Sequence, residues 1–199
     1  MRIAGVVLAL GLFFSFAAEA AKLSPADIER LEAGEVIVVA RSLDEEGAVA
    51  ARAMAVLDFP PEAVWKHLDD CGNYAKFMPR TSKSVELLRE GKKVVCRIEI
   101  DMPFPLGDLW SETDARHDSP AAHTYRRRWK MPEGKGTYRQ NKGSWVISPW
   151  QGDLKRCLVK YQIKVQPEGK VPTAFLKEAQ KRSLPGMMKA LKKRTATAK

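Results

Sequence analysis

The spacing of apolar residues changes several times along this 199-residue chain, and each change marks an element. Ile3 to Phe16 is an unbroken apolar run, short for a membrane span. Arg2 precedes it, and Ala18-Glu19-Ala20 follows with small residues where a signal peptidase needs them. This layout predicts an export signal over residues 1–20, with an uncleaved anchor as the alternative. Ser24-Pro25-Ala26-Asp27 then starts a short helix: a Ser cap, Pro at the first position and an acid in the first turn. Gly34 closes it, so residues 21–34 form a helical extension.

From Glu35 onward the period is mostly two. Glu35 to Arg41 and Ala48 to Leu57 read as strands, separated by the turn Asp44-Glu45-Glu46-Gly47. Asp58-Phe59-Pro60-Pro61 ends the pair, and Val64, Trp65 and Leu68 fall at helical spacing. Asp69 to Phe77 reads as a second, irregular helical turn, broken at Met78-Pro79. Val85 to Leu88 and Lys93 to Met102 form a hairpin whose second strand puts Val94, Cys96, Ile98, Ile100 and Met102 on one apolar face. Pro103 to Leu106 is an apolar loop. Leu109–His117, Ala122–Lys130, Tyr138 with Gly143–Ile147, and Arg156–Val165 continue the alternation. Cys157, Val159, Tyr161, Ile163 and Val165 lie on the apolar side of the last strand. The sum is an α+β domain over residues 35–195 with about seven antiparallel strands, ending in a tail at 196–199. No repeat or linker divides it.

The closing segment is helical in two stretches. Val171, Phe175 and Ala179 share one face, and Leu184, Met187, Met188 and Leu191 share the next. Pro185-Gly186 lies between them. An interior proline removes a backbone bond, so this is one kinked helix or two, with Ser183 capping the second. Methionines there suit an adaptable wall as well as ordinary core.

The net charge is +10 and the isoelectric point about 9.6. Export argues against nucleic acid as the partner of this charge and leaves an anionic membrane surface, or plain solubility. Cys71, Cys96 and Cys157 make an odd set, so at least one stays unpaired, and a Cys96–Cys157 disulfide is one option. None of the common catalytic motifs GxSxG, SxxK, HExxH or a phosphate-binding loop occurs. His67 falls at a charged helix end and reads as solvated, while His117 and His123 flank a turn and could meet across it. No metal site, cofactor or catalytic residue follows from this set.

Four stretches carry a resemblance: Asp58-Phe-Pro-Pro-Glu-Ala-Val-Trp65, Tyr74-Ala-Lys-Phe-Met-Pro79, Gly143-Ser-Trp-Val-Ile-Ser-Pro149 and Val171-Pro-Thr-Ala-Phe-Leu176. In this order they resemble the START-like helix-grip superfamily, in its polyketide cyclase or coenzyme Q-binding branch. The resemblance implies a curved antiparallel sheet gripping the C-terminal helix. It also implies an internal cavity for a lipid, sterol, quinone or polyketide. It implies no single activity, because one fold hosts carriers and enzymes.

If Asp118 pairs with Ala121 across the central hairpin, Trp110 faces Trp129, Glu112 faces Arg127 and Asp114 faces Tyr125. An ion pair between two tryptophans would then anchor a ligand headgroup, or decorate a wet surface; a slip of one residue reverses the faces. Trp145, Tyr161, Phe175, Met187, Met188 and Leu191 complete the candidate lining. Three readings follow. One is a periplasmic carrier of a hydrophobic molecule. A second is a cyclase-type enzyme using Glu112 or Tyr125 as acid or base. The third is a membrane-surface protein using Lys189, Lys192, Lys193 and Arg194 beside Met187, Met188 and Leu191.

Overall fold

A computed structural model describes residues 23–102, 107–169 and 171–197. The expected signal segment and the Pro103–Leu106 loop lie outside the described residues. Helix α1 (Pro25–Glu32) starts as read: Ser24 Oγ accepts from the Asp27 amide at 3.1 Å, and Gly34 takes a left-handed φ of 81° just past the end. Strands β1 (Ile37–Ser42) and β2 (Val49–Leu57) lead into α2 (Pro61–Asp69) and a 3₁₀ turn over Cys71–Lys76. Six further strands follow: β3 (Thr81–Glu90), β4 (Lys93–Ile100), β5 (Leu109–Ala121), β6 (Thr124–Lys130), β7 (Tyr138–Trp150) and β8 (Asp153–Pro167). Helix α3 (Thr173–Thr197) closes the chain.

All strands are antiparallel in one sheet of eight, ordered β1-β2-β8-β7-β6-β5-β4-β3. The expected count of about seven is one short. The α+β helix-grip architecture is present: α2 and α3 pack on the inner face, where Ala53, Val64, Leu68, Val94, Ile147, Val159, Met188 and Leu191 are buried. Helix α1 covers the opposite face with Leu31 against Met54, Val56, Trp150 and Leu158.

Helix α3 is continuous through Pro185. Ser183 starts no second helix; its hydroxyl donates to the Gln180 carbonyl at 3.5 Å. The two halves differ in their contacts. In the second half Met188, Leu191 and Thr195 are buried in the core, while in the first Leu176 and Leu184 are buried at the cavity and Phe175 is 41% exposed.

The disulfide joins Cys71 to Cys96, ties the 3₁₀ turn to β4, and leaves Cys157 buried and free. The Cys96–Cys157 option fails because β4 and β8 are separated by β5, β6 and β7 in the sheet. His67 is only 9% exposed and packs edge-on against Phe77, 6.2 Å between ring centres, so the solvated reading is corrected.

Candidate functional site

A cavity of about 650 Å³ lies between the inner sheet face and the first half of α3. This is within the ~300–1,000 Å³ of small-molecule sites. Its walls are mostly apolar: Ile98 and Ile100 from β4, Trp129 from β6, Trp145 from β7, Tyr161 and Ile163 from β8. Leu176, Leu184 and Met187 of α3 form the cover, and Met78-Pro79-Arg80 forms part of the rim. Arg80 holds a left-handed φ of 59° there. At the mouth, Arg182 Nε donates to Glu178 at 2.9 Å.

The aromatic wall is mutually braced. Trp145 and Tyr161 have ring centres 4.5 Å apart, and Trp129 and Tyr161 5.8 Å. Gly143 permits this, because a Cβ built there would collide with the Trp129 ring and the Gln162 carbonyl. Trp129 Nε1 donates to Asn141 Oδ1 at 3.0 Å, and Asn141 Nδ2 donates to Ser111 Oγ at 3.1 Å. These polar groups of the wall therefore satisfy one another.

Arg127 is different. It borders the cavity, is 2% exposed, and has no carboxylate partner among the described residues. Its Nη2 donates to Cys96 Sγ at 3.1 Å, and its guanidinium lies 5.6 Å from the Tyr74 ring centre. Its Nη1 is buried without a partner among the described residues. A buried cation normally has an anionic or hydrogen-bonding partner, since its desolvation is otherwise uncompensated. Burial pushes the Tyr138 and Tyr161 phenols above the usual tyrosine range, so they stay neutral donors near neutral pH.

The expected hairpin register is wrong. Ser119-Pro120 reads as a turn, but Pro120 sits in an irregular stretch of β5, where its missing N–H costs no ladder bond. The chain reverses at Ala122-His123, with His123 left-handed at φ 52°. Asp118 consequently pairs with Arg126, Arg127 with His117, and Trp129 with Ala115. The shift is an odd number of positions, so Glu112 and Arg127 point to opposite faces, and the proposed ion pair does not exist. Glu112 lies on the outer face, 3.4 Å from Arg97 and 3.3 Å from Lys135. Trp110 is also outside, 4.1 Å beneath the Arg97 guanidinium.

Tyr125 points inward but stacks on Trp65 at 5.5 Å under α2, away from the cavity. His117 does not meet His123; its Nδ1 is 2.6 Å from Asp69 and its ring lies edge-on to Trp65. Arg127, Trp129, Trp145, Tyr161, Phe175 and Met187 border the cavity. Met188 and Leu191 do not; they are core residues, 1% and 0% exposed. Tyr74, Ser111, Thr113, Tyr138 and Asn141 also line it and were not foreseen. Ser111 and Thr113 follow from the true register alone, while Tyr74 needs the tertiary position of the 3₁₀ turn.

Residues 57–192, more than half the chain, match the sequence profile of a family described as polyketide cyclase / dehydrase and lipid transport. No curated protein sequence matches. Among solved structures, the STAR-related lipid transfer protein of Xanthomonas axonopodis is similar at 19% identity and TM-score 0.70, covering 81% of this chain and 94% of that one. Human STARD10 is similar at 17% identity and TM-score 0.70, covering 82% and 70%. The Zhui aromatase/cyclase from Streptomyces sp. R1128 is similar at 15% identity and TM-score 0.57, covering 81% and 94%.

Proposed function

Because the chain belongs to the polyketide cyclase / dehydrase and lipid transport family, we propose that it binds and carries a hydrophobic small molecule with an anionic or hydrogen-bond-accepting head. The observation that carries this reading is Arg127. The cavity has a mostly apolar wall whose Trp129, Asn141 and Ser111 groups are already paired, and one buried guanidinium with a nitrogen left over. A ligand of this class supplies both complements: its tail covers the apolar wall, and its head answers the charge.

Binding is favoured over cyclase chemistry by where the candidate groups fall. An acid or base must reach the substrate. Glu112 is outside the sheet and Tyr125 is beneath α2. Glu178 is at the rim and held by Arg182.

The proposed compartment is the periplasm. The Ile3–Phe16 run supports export, and the Cys71–Cys96 disulfide suits an oxidising compartment. Fractionation of the native host with N-terminal sequencing of the mature protein tests this; recovery in the cytosol with residues 1–20 intact overturns it.

Native mass spectrometry of the protein purified from bacteria, followed by solvent extraction, tests the carrier reading. A bound amphiphile, or saturable uptake of a fluorescent fatty acid by the stripped protein, is expected. Finding neither overturns the reading.

A further inference from the structure

We propose that the outer face of the sheet, on the side away from α3, is a docking surface for an anionic phospholipid bilayer. The strand register makes this face basic. One cross-sheet row runs Val39–Arg52–Gln162–Ser144–Arg128–Arg116–Lys93. The next runs Arg41–Ala50–Lys164–Lys142–Lys130–Asp114. A third carries Lys160 and Arg126, with Val146 between them, and ends at Asp118. Ten cations thus share one face that spans seven strands, roughly 29 Å at about 4.8 Å per strand.

Little acid offsets them. Lys164 pairs with Glu45, Asp118 holds both Arg126 and Arg128, Asp114 stands opposite Lys130 in the register, and Glu112 is held by Arg97 and Lys135 outside the three rows. Arg41, Arg52, Lys93, Arg116, Lys130, Lys142 and Lys160 have no ion-pair partner among the described residues. Most of this row of side chains is exposed. Cations spread over a broad sheet face match a field of anionic headgroups, and charge complementarity of this kind gains with every headgroup engaged. The three rows contain no aromatic side chain, so they lack the stacking platform of a single-strand nucleic-acid binder.

The basic end of α3 fits a bilayer less well. Amphipathic insertion needs an apolar face, and there Met188 and Leu191 are already buried in the core. Lys192 is also engaged, 3.4 Å from Asp58. Docking by the outer face leaves α3 and the cavity mouth on the free side. The inference does not depend on what the cavity holds.

The test is co-sedimentation of the full-length mature protein with vesicles of phosphatidylcholine and phosphatidylglycerol, at about 0.1 M salt, where the screening length is about 10 Å. The triple variant Arg52→Gln/Lys130→Gln/Lys142→Gln removes three exposed, unpaired charges. Each cation contributes roughly a fivefold factor to partitioning, so binding should fall about a hundredfold. The control Lys181→Gln/Lys189→Gln/Lys193→Gln removes the same charge from α3 and should bind nearly as the parent does. Thermal unfolding checks that both variants are folded. Equal losses in the two triples, or a larger loss in the α3 triple, overturn the proposal. So does binding that persists on pure phosphatidylcholine or is insensitive to salt. Salt-sensitive binding to duplex DNA with none to vesicles assigns the surface to nucleic acid instead and equally overturns it.

Discussion

Replacing Arg127 by Met separates the stability of this protein from its binding. The side chain is buried, its Nη1 has no partner, and its compensations are a sulfur acceptor at 3.1 Å and the Tyr74 ring at 5.6 Å. A buried charged donor left unmet costs at least ~1–3 kcal/mol. A cation over an aromatic ring returns ~0.5–1 kcal/mol at ordinary geometry, and sulfur is a weak acceptor. Met keeps most of the apolar stem and fills irregular space. The ligand-free variant should therefore be more stable than the parent by ~1–2 kcal/mol, which raises Tm by roughly 3–6 °C in a domain of this size. Binding should move the other way. Removing one partner of a desolvated charge pair costs ~2–5 kcal/mol, so affinity for a long-chain carboxylate should fall at least about thirtyfold. Affinity for the alcohol of equal chain length should stay within a few-fold. The assays are scanning calorimetry of delipidated protein and displacement of a fluorescent fatty acid. A variant less stable than the parent, with carboxylate and alcohol affinities falling together, would make Arg127 a structural residue and refute the argument.

Four further outcomes follow from the same structure. Cys71→Ser/Cys96→Ser opens a loop of 25 residues and should cost about 3.5 kcal/mol in denaturant unfolding by loop entropy. In the parent, burial pushes the Cys157 thiol up to about 12, so a thiol reagent should label nothing in the native protein and one group per chain after non-reducing denaturation. Desolvation, then the Arg194 and Lys66 charges, holds His67 below the usual histidine range. The unfolded chain then binds the extra proton first, so stability should fall as pH drops below about 6.5, and His67→Gln should flatten that fall. The hydrogen bond from His117 and the Arg89 charge hold the Asp69 carboxyl low, so its contribution is lost only at pH below about 3.9 and leaves the histidine window clear. Leu191→Ala, at a fully buried site in the second half of α3, should cost ~2–5 kcal/mol. Phe175→Ala, at a position 41% exposed, should stay within ~0.5 kcal/mol in the same measurement.

Period and punctuation made much of this molecule legible. Ser24-Pro25 and Gly34 bound α1 because capping is a local matter of φ, ψ and one hydroxyl. The alternation in β4 and β8 told which residues point inward, since each strand needs one dry face. The antiparallel sheet and the α+β class followed from such one-dimensional signals. So did the order of elements that carries the family resemblance.

What the chain alone could not decide lies wherever two distant segments must agree. The β5–β6 register hangs on where the chain reverses. Because side chains alternate with period two, an odd shift exchanged the faces completely: Glu112 went outside and Arg127 lost its expected partner. The disulfide partner of Cys96 depends on which elements adjoin β4 in space, and the spacing of three cysteines carries no such distance. Whether Met187 borders the cavity while Met188 and Leu191 fill the core depends on the rotation of α3 against the sheet. The composition determined a net charge of +10, but its concentration on the outer sheet face came from the pairing of β1, β2, β8, β7, β6, β5 and β4. Local sequence sets the conformation of a strand; only long-range hydrogen bonding and packing choose its neighbour and register, and those set where each charge and each cavity residue stands.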